Sequence, residues 1–450
     1  MSTSPLLSDP IRAWAAYEPS AKTPWDLPRV AHLHRRAGFA APWSVLQRDL
    51  KDGPARSIDR LLNGEATSGD GQSADEFDAL LDEMALRIGS DATPSRLQGL
   101  WLYRMILTAR PLRERMTLFW HNHFATSLAK VENPVLMQRQ NALLREHALG
   151  NFRSMLADVG KDPAMLVWLD ASANRKAKPN ENYAREVMEL FTLGRGRYTE
   201  KDIREAARAF TGWFVVRDRF SMLPTQHDDG VKTIFGKTGR FRGEDVPSLL
   251  LDQPACAEFL AGKLYRQFVS EVDPPSPALL APLAQALRSS DYDIAAAVRA
   301  ILRSNLFFDE SMRRRRVKSP VELAVGTVRS LEILRPTVSS EALAESTSRM
   351  GQTLYAPPSV AGWDGGATWI NTTAMLNRTN LALALLGKDD ERLGGRCDAK
   401  KLAAKYGVEP KRFYVDLLVQ DALDSRVLGP VKEPAEIATL VLTTPEYQLA

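Results

Sequence analysis

Cysteine is almost missing from these 450 residues: only Cys256 and Cys397 occur. Each falls in or beside a helical pattern and in no metal-ligand spacing, so buried free thiols are expected rather than a disulfide or a cysteine-type zinc site. Long apolar runs are missing too. No segment approaches the roughly 18 uninterrupted apolar residues of a membrane span, and the proline-rich stretch 1–28 has no apolar core of the signal-peptide kind. Arg35-Arg36 superficially match a twin-arginine export signal, but Pro42, Gln47, Arg48 and Asp49 interrupt the apolar region that should follow. Cytoplasmic residence is the default expectation. A charge excess is also lacking: 59 Lys and Arg stand against 55 Asp and Glu, too even a balance to imply a nucleic-acid partner. Nucleophile elbows, Walker loops and GxGxxG turns are absent.

What is present is helical patterning. A chain of this size can bury a substantial core without disulfides or metal. Asn133-Pro134 reads as N-cap and first helical residue, with Gly150 closing that helix, and Asp162-Pro163 opens another. Thr199–Asp202 is a capping box with Asp in the usual Glu place. After Gln253-Pro254, the residues Ala257, Leu260, Ala261, Leu264 and Phe268 recur at three- and four-residue steps. Asp291 or Asp293 caps a helix striped by Ile294, Val298 and Ile301. Strand-like alternation is confined to Trp213–Val216 and a short hairpin within 218–242. The expected fold class is all-α or nearly so: a large multi-helix body over 29–450, with possible divisions near 250 and 310, preceded by an extended segment 1–28. Residues 63–75 and 218–248 read as loops, and so does 355–372 with Trp363 and Trp369.

Polar chemistry concentrates in three stretches. His121-Asn122-His123 carries two imidazoles, the commonest transition-metal donors. On a straight helix they diverge by about 200°, so joint ligation needs the helix to end near Trp120; the bland alternative is hydrogen bonding inside the core. Asn180-Glu181-Asn182-Tyr183-Ala184-Arg185-Glu186 opens a helix running to Leu193. Asn180 or Asn182 caps it, and together with Trp213 these amides are candidate ligand-binding groups. Glu181 or Glu186 is the candidate general acid or base, with Arg185 holding down a neighbouring carboxylate; a carboxylate-rich helix start fits the macrodipole equally well. His227-Asp228-Asp229-Gly230 could complete a site begun by His121 and His123. Imidazole and oxygen donors together suit Zn²⁺, Mn²⁺ or Fe²⁺, though an Asp-Gly turn explains the same residues. The basic run Arg313–Arg316, extended by Lys318, could attract phosphate, but without interleaved aromatics it reads better as a solvated linker.

In order and wording, several of these motifs resemble one bacterial family, catalogued as domain of unknown function 1800. The resemblance runs from His34-Arg35-Arg36-Ala37-Gly38-Phe39 through Phe119–Phe124, Pro163–Leu166, Asn180–Glu186, Tyr198-Thr199 and Ala206–Trp213. It continues through His227-Asp228 and Lys232 to Lys318-Ser319-Pro320-Val321-Glu322. It implies no reaction. It does imply a neighbour-encoded partner from a second family, domain of unknown function 1501, which resembles sulfatases and alkaline phosphatases and whose members often carry export signals. Export of the present chain as a passenger on that partner is therefore an alternative to cytoplasmic residence. The functional expectation is a polar-site enzyme or ligand-binding protein, of hydrolase or lyase type on a polar or saccharide substrate and possibly metal-dependent. The alternative is a non-catalytic partner or escort of the sulfatase-like neighbour, with the Trp363–Trp369 loop as its interface.

Overall fold

A computed structural model describes residues 4–66, 71–87, 89, 92–387, 392–421, 423 and 425–450. Part of the loop expected at 63–75 and the first three residues of the N-terminal segment lie outside these. Helices dominate, and among the described residues β structure is limited to two separate two-stranded hairpins.

The helix starts follow the chemistry of their first residues. Asn133 accepts from the backbone N–H groups of Val135 and Leu136, with Pro134 in the first turn. Asp162 and Asp293 accept from Met165 and Ala296. Thr199 with Asp202, and Ser319 with Glu322, form reciprocal capping boxes. Each of these caps satisfies donors that the first helical turn leaves orphaned.

The β structure falls within 213–242, as expected, and forms two hairpins. Trp213–Val216 (β1) pairs with Arg219–Met222 (β2), and Lys232–Ile234 (β3) pairs with Lys237–Gly239 (β4). Both two-residue loops, Arg217-Asp218 and Phe235-Gly236, have positive φ throughout, as type I′ turns require. Because Arg-Asp is not a favoured pair for that geometry, the first hairpin leaves little trace in the sequence.

Two buried apolar clusters make the core. One collects residues from Leu6 to Met312, including Trp120, Phe152, Tyr183 and Phe268. The other joins Trp101, Leu102 and Phe39 to the C-terminal helices through Leu385, Phe413 and Val441. The helix Leu27–Ala37 lies between them: Leu33 and Ala37 pack into the first cluster, Val30 and Ala31 into the second. Helix Pro111–His123 is shared likewise, with Trp120 in the first and Leu118 in the second. Both cysteines are free and buried, and no helix among the described residues is long and apolar enough to cross a membrane.

Candidate functional site

Among the described residues the three polar stretches each find partners of their own. Helix Pro111–His123 continues through both histidines, so the helix end that joint ligation requires near Trp120 is not there, and the imidazoles take separate surroundings. His121 stacks among Trp101, Tyr355 and Trp363 at 5.3–5.7 Å, and its Nε2 accepts the Tyr355 backbone N–H at 3.1 Å. His123 is enclosed by Phe119, Trp120, Phe124, Phe152, Phe191 and Phe259. Its Nε2 bonds the Phe191 carbonyl at 3.0 Å. Burial drives both rings down to about pKa 3, with Lys263 adding to the effect on His123. These are neutral core imidazoles.

His227 is also sealed. Its Nδ1 lies 2.8 Å from the Thr211 carbonyl, and the carboxylate facing its Nε2 at 3.9 Å belongs to Asp229 rather than Asp228. Asp228 is taken by Arg208 at 2.7 Å and also accepts the Gly230 N–H, the Asp-Gly turn. Among the described residues no group of three or more His, Cys, Asp or Glu is placed to hold one metal ion.

The amide candidates hold backbone. Asn180 accepts the Asn182 N–H at 2.9 Å, while Asn182 donates to the Leu169 carbonyl at 3.0 Å. Trp213 is 2 % exposed, packed against Phe210 and Tyr183, and presents no surface to a ligand. Trp363 and Trp369 are 8 % and 7 % exposed, so this loop turns both indole rings inward. Glu181, Arg185 and Glu200 form an ion-pair chain at 2.8–3.1 Å on the surface.

Beside that chain the helix itself changes. The α-turns end at Glu186, and Val187–Thr192 is π-helical, a local widening that often marks functional positions. The Phe191 carbonyl goes to His123 and the Val187 carbonyl to the Thr192 hydroxyl at 2.6 Å. Burial, then Glu189, raises the Glu186 carboxyl, while a short bond from Tyr198, joined by Arg195, lowers Glu189. Two neighbouring carboxylates are thereby pushed in opposite directions.

The larger surprise is the basic run, which is no solvated linker. The Arg313, Arg314 and Arg315 side chains are 17 %, 21 % and 14 % exposed and Arg316 only 10 %. With Arg35 and the N-terminal Ser4 and Pro5, the first three line a cleft of 520 Å³ whose other polar walls are Asp309, Glu310, Ser311 and Asp421. Their sequence neighbours run inward. Arg36, Arg115, Arg316, Lys318 and Arg378 are each less than a tenth exposed. The carboxylates among them are Glu322, 2.6 Å from Arg115, and Glu271, 3.6 Å from Arg316.

Many guanidinium nitrogens have no acceptor: Nε of Arg35, Nε and Nη1 of Arg36, Nε and Nη1 of Arg316, Nε of Arg378. Burial, followed by Arg314 and Arg313, lowers Arg35 to about pKa 9. Burial, then Arg35 and Arg378, brings Lys318 well below its ordinary value while its ammonium sits 3.4 Å over the Tyr447 ring. Buried cations are ordinarily matched by anions; here they outnumber them. The run of four arginines was visible in the sequence, but its burial was not, because the elements that cover it come from residues 4–5, 35 and 419–421.

Neither the curated proteins nor the solved structures offer a match. The family model described as "Protein of unknown function (DUF1800)" matches residues 32–449, and the chain belongs to that family.

Proposed function

We propose that this protein binds an anionic ligand of the phosphate or sulfate class in the cleft of Arg35, Arg313, Arg314 and Arg315. The observation that carries this reading is the concentration of cations at the cleft: Arg313, Arg314 and Arg315 pair with Glu310, Asp421 and Asp273, Arg35 lines the same cleft with its Nε unpartnered, and five further cations sealed behind share two carboxylates. Guanidinium forks suit tetrahedral oxyanions because each presents several donors in fixed geometry. A bound anion would supply an acceptor for the unpartnered Arg35 Nε and raise the depressed Arg35. A polar saccharide bearing such a group fits a cleft of 520 Å³.

The test is thermal unfolding with pyrophosphate or sulfate against sodium chloride of equal ionic strength. Saturation at about a hundredfold over Kd adds roughly 2.7 kcal/mol, and Arg314→Ala should lose most of the gain. If pyrophosphate and sulfate stabilise no more than chloride, the reading is wrong.

A second reading keeps hydrolase chemistry at the helix start, because Glu186 and Glu189 are shifted apart as an acid–base pair requires. Glu186 would hold the proton, Glu189 the charge, with Arg185 and Tyr198 positioning them. Turnover of nitrophenyl glycosides or esters, abolished by Glu186→Gln, would support it. The escort role toward the sulfatase-like partner draws on family neighbourhood alone, and co-purification decides it.

A further inference from the structure

His34 and Arg35 are consecutive, so about 100° of helical rotation separates their side chains, and His34 faces a different cleft. This second cavity, 230 Å³, is walled by Ala41, Pro42, Val45, Leu61, Ile106 and Pro111. Its polar groups are few and convergent: His34, Asp49, Arg48, Arg60, Glu65, Thr108 and Arg329.

Asp49 organises one side. Its carboxylate, 1 % exposed, lies 2.9 Å from His34 Nε2, 2.8 Å from Arg48 Nε and 2.6 Å from Arg60 Nη2. Burial works to raise this carboxyl, but the bonds from His34 and Arg48 outweigh it and hold it well below its ordinary range. An ionised Asp49 accepts only, so His34 Nε2 is the donor of that bond. Among the described residues the His34 ring is hydrogen-bonded through Nε2 to Asp49 alone, which leaves Nδ1 for a bound group.

Arg329 supplies the other side. Nη1 donates to the carbonyls of Ile106 at 2.6 Å and Met105 at 3.3 Å, at the end of helix Pro94–Leu107. Nε is buried without a partner. Arg48 and Arg60 are paired to Asp49, Glu65 and Asp52, whereas among the described residues no carboxylate lies within ion-pair reach of Arg329. An arginine bonded only to carbonyls, at the edge of an apolar cavity, retains its charge for an incoming anion.

We infer that this cleft binds a small organic carboxylate carrying a hydroxyl group. The carboxylate sits on Arg329, the apolar body lies against Val45, Leu61 and Ile106, and the hydroxyl donates to His34 Nδ1. The hydroxyl keeps its proton, and its contact with Nδ1 is a hydrogen bond. At 230 Å³ the cavity is below the size of drug-like sites, so the ligand is a compact acid. The site is independent of the arginine cleft: no residue lines both.

The experiment is a titration of the full chain, labelled with ¹⁵N-histidine, with mandelate. Phenylacetate, which lacks the hydroxyl, and benzyl alcohol, which lacks the carboxylate, are the comparisons. Mandelate should shift the His34 Nδ1 resonance, assigned by its loss in His34→Asn, at least tenfold more tightly than either comparison. Arg329→Gln should weaken binding at least tenfold, and Val45→Phe, which fills the cavity without touching either polar group, should abolish it. Because Arg329→Gln also removes a helix-end contact, Val45→Phe keeps the test valid if the first variant unfolds. No shift with mandelate, equal shifts with all three compounds, or binding that survives Val45→Phe would overturn the assignment.

Discussion

At the scale of single residues, burial decides what each titratable group can do. Asp162 shows the logic. It is 4 % exposed, caps its helix through the Met165 N–H and accepts from Gln140 at 2.7 Å. Burial raises its carboxyl from 3.8 to about 6 despite those bonds. The folded state therefore holds a proton that the unfolded chain has already released, and stability falls as pH rises from about 4 to about 6. Two pKa units correspond to about 3 kcal/mol. Asp162→Asn retains the cap oxygen and has no proton to lose, so the difference in unfolding free energy between variant and parent should move in the variant's favour across that interval. Chemical denaturation at pH 4 and pH 7 checks this, and parallel curves would refute it.

The histidines follow the same rule. In the sequence, His121 and His123 carry the spacing of metal donors. In the fold, aromatic rings surround them and no carboxylate approaches, since Trp101, Tyr355 and Phe191 come from segments distant in sequence. Local pattern names the residue types; only the tertiary neighbours decide whether an imidazole is a ligand or a piece of core.

At the scale of elements, the middle of the loop 355–372 is fastened by Asn122. Asn122 accepts the Trp363 N–H at 2.7 Å and donates to the Trp363 carbonyl at 3.4 Å. Gly362 sits against it with φ of 82°, and a Cβ there would collide with Asn122. Gly362→Ala combines left-handed backbone strain of 1–2 kcal/mol with that collision, so a loss of at least ~2 kcal/mol is expected. Near-UV circular dichroism should show the tryptophan environment loosening as well. A neutral substitution would mean the loop is held elsewhere.

Elements whose boundaries are written in one or two residues were legible beforehand. Asn133-Pro134, Asp162-Pro163 and Thr199–Asp202 announce helix starts because a cap acts on backbone two or three residues away. The π-helical turns at Val187–Thr192 were not legible, since Val187, Met188 and Phe191 also suit an α-helical stripe. What separates the two is a carbonyl's choice of partner, Phe191 to His123. The arginine cleft failed to show for a related reason. A run of like charges reads as solvated unless the chain that covers it is known, and that cover comes from the N-terminus and from Val419–Asp421.

At the scale of the whole molecule, the two apolar clusters are not separable by cutting the chain once. Each takes residues from both the Leu27–Ala37 and Pro111–His123 helices. Removing either cluster strips one face of those helices and exposes the apolar side chains that remain. Calorimetry should therefore show a single cooperative transition, with calorimetric and van't Hoff enthalpies agreeing. Two resolved peaks would mean that the shared helices couple the clusters weakly.

The Leu27–Ala37 helix has one more consequence. It presents His34 to one cleft and Arg35, about 100° around the axis, to the other, so one rod contributes to both linings. A guest that turns or slides this rod in one cleft moves a lining residue of the other. Thermodynamic reciprocity then obliges any such influence to run equally in both directions: whatever factor one occupant imposes on the second, the second returns to the first.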